Sequence, residues 1–137
     1  MAKERTTTNV DGGDDVNASW GDEVRADIGA LFDDKTVYAE TDGATITFNM
    51  NNGSIQAVTL GGNRTLAVSN TLLGRTFCLI IKQDATGSRV PVWFSTVHWA
   101  YGSTPTLTTT ANKYDMFAFV EISTGVYLGF VVGQNMG

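Results

Sequence analysis

The stretch from Val58 to Trp99 constrains the fold of this chain more than any other segment. In it, short apolar runs alternate with glycine, asparagine and aspartate, and the central run, Phe77 to Ile81, contains no charged or hydroxyl side chain. An apolar run this short, bounded by turn signals, is typical of a β-strand that is buried on both faces. The sequence therefore predicts a strand at the centre of a β-sheet.

The rest of the chain beyond Thr36 continues the pattern. Apolar and polar residues alternate in several short segments, which indicates half-buried strands. Asn51-Asn52-Gly53 has the composition of a hairpin turn, and the Asp84–Ser88 segment that of a hairpin-type loop. About eight strands at a spacing of 8–12 residues predict an all-β domain over residues 36–137, either a β-sandwich or a jelly-roll-like barrel.

Two different segments precede this predicted domain. Residues 1–18 have the composition of an extended arm, which is either a disordered tail or a segment that orders on a neighbouring subunit. Residues 19–34 predict one short α-helix, because Ser19 is a suitable N-cap and apolar residues follow at helical spacing. A helix of three to four turns is marginal by itself, so its apolar stripe is expected to pack on the body or on another chain.

Charge is distributed unevenly. Residues 1–42 carry a net charge of −7, whereas residues 43–137 carry +2 with their basic residues scattered singly. Phosphate binding needs clustered Lys and Arg, so the sequence argues against nucleic-acid binding. No apolar run reaches the roughly 20 residues of a membrane span, and the N-terminus has no apolar core of a signal peptide. We therefore expect synthesis in a cytoplasm and no membrane partner.

Residues capable of catalysis or metal binding are few. The chain has one histidine, His98, and one cysteine, Cys78, which is too few for a typical zinc site. A triad of Ser95, His98 and Asp115 lacks any supporting motif. Asp11, Asp14 and Asp15 do not have the spacing of a calcium loop. The sequence therefore predicts no enzyme, no metal and no cofactor.

An aromatic cluster is the remaining feature with functional content. It comprises Trp93, Phe94, Trp99 and Tyr101. Aromatic side chains are common in protein cores, in subunit interfaces and on sugar-binding surfaces. The sequence leaves these three interpretations open.

Three stretches carry a resemblance to a known family: VTLGGNRTLAVSN (58–70), KQDATGSRVPVWFSTVHWAYGSTPTLTTTANKYDMFAF (82–119) and TGVYLGFVVGQNMG (124–137). They resemble a module of tailed-bacteriophage virion proteins that occurs in tail fibres, head fibres and small capsid decoration proteins. The segment NVDGGDDVNASWGDEVRADIGALF (9–32) also resembles the N-terminal part of small phage structural proteins. Members of this family are generally trimeric and need no active site.

The resemblance implies a virion protein, and a short chain with an arm and one helix favours a capsid decoration, or cement, protein. Such a protein would be a homotrimer that binds the major capsid protein on the outer surface of the virion. The arm would lie on the shell, with these candidate contacts: Thr7, Asn9, Val10, Asp11, Asp14 and Asp15. The candidate interface residues between subunits are Trp20, Val24, Ile28, Phe32, Trp93, Trp99 and Tyr101. The alternative is a tail or head fibre module that binds a host-surface glycan through loops such as 99–105.

Overall fold

The computed structural model describes residues 36–94 and 96–137. The predicted arm and helix lie outside the described residues. The described part consists of nine strands and two short 3-10 turns, Met50–Asn52 and Ala100–Gly102. The strands are β1 (Tyr38–Ala39), β2 (Thr45–Asn49), β3 (Ile55–Leu60), β4 (Arg64–Ser69), β5 (Thr76–Gln83), β6 (Pro91–Val92), β7 (Val97–Trp99), β8 (Tyr114–Ser123) and β9 (Val126–Met136). Within these residues no helix has the length and hydrophobicity needed to cross a membrane. The nine strands confirm the predicted all-β class for the described residues.

The nine strands form two sheets. The six-stranded sheet has the order β1-β3-β5-β8-β9-β7, and the three-stranded sheet has the order β2-β4-β6. From β1 to β6 the chain alternates between the two sheets, so neighbours in each sheet run parallel there, as in the pairing of Thr45 with Thr65 and of Ile55 with Cys78. Only β8 introduces antiparallel pairing, with β5 and β9. A jelly roll consists of antiparallel strands, whereas the three-stranded sheet here is entirely parallel.

The two predicted hairpins are wrong. The Asn51-Asn52-Gly53 turn leads from β2 in one sheet to β3 in the other, and the Asp84–Ser88 loop likewise leads from β5 to β6. Turn residues such as these permit the backbone to reverse. They do not determine whether the next strand pairs with the previous one or crosses to the opposite layer. Among residues 36–94 and 96–137, β8 and β9 form a hairpin, which turns at Thr124 and Gly125, the latter with φ of 75°.

One buried cluster joins side chains from both sheets. Ile46 and Phe48 of the three-stranded sheet belong to the same cluster as Leu79 and Phe117 of the six-stranded sheet. Along β5 and β8 every second residue is buried, because successive side chains of a strand point to opposite faces of the sheet. Pro91 begins β6 at the edge of its sheet, as expected of a residue that cannot donate a backbone hydrogen bond.

The loop after β5 is organised by an ion pair that should make stability depend on pH. Asp84 accepts hydrogen bonds from the guanidinium of Arg89 (Nη2 to Oδ2, 2.7 Å) and from the backbone N–H of Gly87 (2.9 Å). The Arg89 hydrogen bond first, and then the Gly87 bond, lower the pKa of Asp84 from 3.8 to about 2. Because the folded-state pKa lies below that of the unfolded chain, this carboxylate contributes stability above about pH 4, which is lost as the pH falls towards 2.

We therefore expect Asp84→Asn to reduce the acid sensitivity of the fold. Urea unfolding at pH 5 and at pH 3 measures the loss of stability between the two conditions for each protein. The loss should be larger for the wild type than for the variant, because the variant has no carboxylate to protonate at this position. Equal losses in the two proteins would contradict the assigned role of Asp84.

Candidate interaction surfaces

The predicted aromatic cluster divides into a buried part and an exposed part. The Trp93 ring packs 4.8 Å from Phe117 and 5.0 Å from Trp99, measured between ring centroids. The Trp99 ring lies 5.5 Å from the Phe119 ring, and Phe94 is buried beside the Phe119 ring. These edge-to-face and tilted contacts are favourable geometries for aromatic pairs. Trp93, Phe94 and Trp99 therefore pack within the domain, with the two tryptophans partly exposed at the rim of the core.

A glycine on β9 permits this packing. A Cβ atom at Gly129 would lie 2.6 Å from Val97 Cγ1 and 2.7 Å from Trp99 Cε3, closer than carbon atoms approach without repulsion. The absence of a side chain at this position lets β7 place Trp99 flat over the backbone of β9. In the sequence, a glycine inside an apolar strand indicates such a close approach of a neighbouring residue to the backbone.

Tyr101 lies apart from the cluster. It occupies the turn after β7 with a φ of 60°, and its side chain is fully exposed. A left-handed backbone is uncommon for a residue other than glycine and costs about 1 kcal/mol or more. Tyr101 borders a cleft of about 390 Å³ whose other walls include Trp99, Pro105 and Phe130. The described residues that line the cleft include no charged side chain, so their chemistry suits an uncharged, partly apolar group.

Asp115 links the loop that follows this cleft to the end of β9. Its carboxylate is buried and accepts hydrogen bonds from the backbone N–H groups of Thr108 (2.7 Å) and Asn135 (2.8 Å) and from Nε2 of Gln134 (3.0 Å). The rejected triad paired this residue with His98. In the structure His98 is exposed on β7 next to Leu128, and Ser95 lies outside the described residues. Asp115 therefore serves as a fixed acceptor between loops.

Gln83 makes a second link of this kind. Its Nε2 donates to the carbonyl oxygens of Arg89 (2.9 Å) and Thr108 (2.7 Å), and its Oε1 accepts from the backbone N–H of Arg89 (2.9 Å). The amide is buried, so these bonds satisfy polar groups that water does not reach. Sequence reasoning did not single out Gln83, although an amide at an inward position of an apolar strand was a usable signal.

The middle of the outward side of the six-stranded sheet is apolar, whereas Thr59, Thr76 and Lys82 occupy outward positions nearer the strand ends. We call this surface the outer face and define it by nine side chains that point away from the core on β3, β5, β8 and β9: Ile55, Ala57, Cys78, Ile80, Met116, Ala118, Val120, Leu128 and Phe130. Eight of these residues are half-buried, and Phe130 is 45% exposed. The sequence predicted β5 to be buried on both faces, whereas the described residues cover it fully on the inner side only.

The other predicted site residues fall in different places. Trp93 and Trp99 pack inward, and Tyr101 is exposed, as described above. The predicted shell contacts and the interface candidates of the helix lie outside the described residues. Within the described residues, no group of three or more His, Cys, Asp or Glu side chains is placed to hold a metal ion.

Comparison with known proteins gives no match. No protein-family model, no curated protein sequence and no solved structure matches the chain. What can be said about function therefore depends on the residues and on the geometry of the described domain.

Proposed function

We propose that this chain is a homotrimeric capsid decoration protein of a tailed-bacteriophage virion, made in the host cytoplasm. It binds the major capsid protein on the outer surface of the shell and stabilises the shell mechanically. It is a structural protein, and its role requires neither catalysis nor a cofactor. The observation that carries this proposal is the resemblance of residues 58–70, 82–119 and 124–137 to a module of tailed-bacteriophage virion proteins.

The residues that carry the family resemblance are also the ones on which the described fold depends. Within 82–119, a Cβ at Gly87 would lie 2.6 Å from the carbonyl oxygen of Thr109, and Gly87 has a φ of 76°. The close approach of this loop to the threonine segment therefore requires glycine at position 87. Trp93, in the same stretch, packs on Phe117. A resemblance that consists of such residues supports a shared fold, and with it the virion role.

The proposal also includes the way in which the two sheets are arranged. We describe the two sheets as the layers of a β-sandwich, because Ile46 and Phe48 from one sheet and Leu79 from the other belong to a single buried cluster. Layers of this kind pack about 10 Å apart. A stiff two-layer body suits a protein that links neighbouring capsid subunits without changing shape.

Deleting residues 1–18 should abolish binding to the shell and leave the body folded. In the proposed function the acidic arm supplies the shell contacts, whereas the core residues that the structure describes lie within 46–127. Co-sedimentation with capsids that lack the protein measures binding, and circular dichroism measures folding. A variant with the same 18 residues in shuffled order separates specific contacts from the effect of charge. Full decoration of capsids by the truncated chain would refute the role of the arm.

A fibre module that binds a host-surface glycan is the alternative, and one observation favours it. Tyr101 is fully exposed beside an uncharged cleft, and aromatic rings present a flat apolar face on which a sugar ring can stack. Glycan-array binding by the wild type that is lost in Tyr101→Ala would support this alternative. Capsid binding by both proteins, with no glycan binding, would support the decoration role.

A further inference from the structure

We propose that the turn between β2 and β3 is a site of self-modification, at which the backbone nitrogen of Gly53 displaces the side-chain amide of Asn52 and the residue becomes isoaspartate. Asn52-Gly53 is the one Asn-Gly pair in the sequence, and every other asparagine precedes a larger residue. Because glycine has no side chain to shield its nitrogen, this pair closes the intermediate ring more readily than the others. The inference is independent of the proposed function.

The reaction balances with water as the only reactant. The Gly53 nitrogen gives up its proton to hydroxide and attacks Cγ of Asn52, which forms a cyclic succinimide. The bond from Cγ to Nδ2 then breaks, and the leaving nitrogen takes a proton from water and departs as ammonia. Water opens the ring at Cγ to give aspartate, or at the backbone carbonyl carbon to give isoaspartate. In isoaspartate the chain continues through the side-chain carbon.

The fold leaves the reacting atoms accessible. Asn52 is exposed at the end of the 3-10 turn, and its side chain makes no hydrogen bond to the residues that the structure describes. The N–H of Gly53 lies 3.4 Å from the carbonyl oxygen of Met50, longer than the usual range of about 2.7–3.2 Å. Little is therefore lost when this nitrogen turns towards Cγ of Asn52, and exposed turns are the parts of a fold that open most easily.

The pair Asp42-Gly43 provides a contrast within the described residues. An Asp-Gly pair can form the same ring, but the Asp42 carboxylate accepts hydrogen bonds from Nε (2.8 Å) and Nη2 (2.7 Å) of Arg64. The Arg64 hydrogen bond is the main cause that lowers the pKa of Asp42. An ionised carboxylate resists attack by a nitrogen nucleophile, so this pair should remain unmodified while Asn52 reacts.

A buried side chain makes the fold sensitive to the product. Nε2 of Gln56 spans the turn, because it donates to the carbonyl oxygens of Asn49 (2.6 Å) and Gly53 (2.9 Å). The Gln56 side chain is buried, so water does not replace either bond. Isoaspartate adds one carbon to the backbone between these two acceptors, and the amide then loses one of them. A buried donor without a partner is destabilising, so modification should lower the stability of the domain.

The test follows oxygen uptake at Asn52 in the full chain. The protein is incubated at mildly alkaline pH in water enriched in heavy oxygen, digested, and analysed by mass spectrometry. The peptide that contains Asn52 should take up the label, mostly as isoaspartate, at a rate within about ten-fold of that in urea-unfolded chain; this ratio corresponds to an opening cost of about 1.4 kcal/mol or less. Asn52→Gln is the matched control, which should remain unlabelled at this position because the longer side chain must close a larger ring.

Urea unfolding of the incubated chains tests the consequence for the fold. The midpoint should fall for the incubated wild type and stay unchanged for Asn52→Gln. It should also stay unchanged for fresh Asn52→Asp, which carries the new charge on an ordinary backbone. Labelling in the folded chain more than about ten-fold slower than in the unfolded chain, or equally fast labelling at Asp42-Gly43, would overturn the proposed site. Isoaspartate at position 52 with an unchanged midpoint would overturn the role of Gln56.

Discussion

Replacing Phe117 with alanine should lower the free energy of unfolding by about 4 kcal/mol, a typical cost for deleting a fully buried aromatic ring. Phe117 is completely buried at the centre of β8, and the Trp93 and Trp99 rings pack against it at 4.8 and 6.0 Å. The substitution leaves a cavity that two large rings cannot fill by small movements. Urea unfolding followed by tryptophan fluorescence measures the loss directly.

The matched control for this prediction is Tyr101→Ala. Tyr101 is an aromatic residue in the same region of the sequence, but it is fully exposed and makes no ring contact among the described residues. Its removal should change the free energy of unfolding by less than about 0.5 kcal/mol. Similar losses for Phe117→Ala and Tyr101→Ala would show that the aromatic core is assigned incorrectly.

Replacing Asp115 with alanine should lower the free energy of unfolding by about 3 kcal/mol or more. The substitution leaves two backbone N–H groups, those of Thr108 and Asn135, without their acceptor, whereas the Gln134 amide keeps its bond to the carbonyl oxygen of Thr106. Each donor that loses a charged partner inside a protein costs about 1–3 kcal/mol. The rate of backbone hydrogen exchange should also increase at Thr108 and Asn135 in particular. A general loss of stability would instead increase the exchange rate throughout the domain.

Asp42→Ala provides the comparison at a surface site. Asp42 pairs with Arg64 at 2.7 Å, but both side chains are partly open to solvent. Exposed ion pairs contribute between zero and about 1 kcal/mol, so this variant should be much less destabilised than Asp115→Ala. Equal effects would contradict the view that Asp115 acts through burial and backbone hydrogen bonds.

Much of the strand pattern could be predicted from the sequence. The alternation along Tyr114–Ser123 identified which side chains share a face of the strand, because a period of two is typical of β-structure, but it did not identify the inward face. The connections could not be predicted in the same way. The residues Asn51-Asn52-Gly53 permit a reversal in either a hairpin or a crossing between sheets. The choice depends on which distant strands pair, and that information is not local.

The candidate surfaces could likewise be predicted only in part. The composition of β5, including Cys78 and Ile80, predicted a strand that is buried on both faces, whereas the described residues bury only every second side chain. Which of them face the core and which face outward became clear only from the pairing with β3 and β8. The aromatic residues illustrate the opposite case: Trp99 and Tyr101 are two positions apart, yet Trp99 packs against the core and Tyr101, where the backbone is left-handed, is exposed.

The number of copies of this chain in the parent virion tests the central claim most directly. Quantitative mass spectrometry against the major capsid protein gives the ratio of the two chains in purified particles. The proposed decoration role predicts copies on the scale of the capsid protein itself, since every junction between capsid subunits offers a binding site. A handful of copies per particle would contradict that role and would indicate a tail or head fibre, with the loop at Tyr101 as the first receptor-binding candidate.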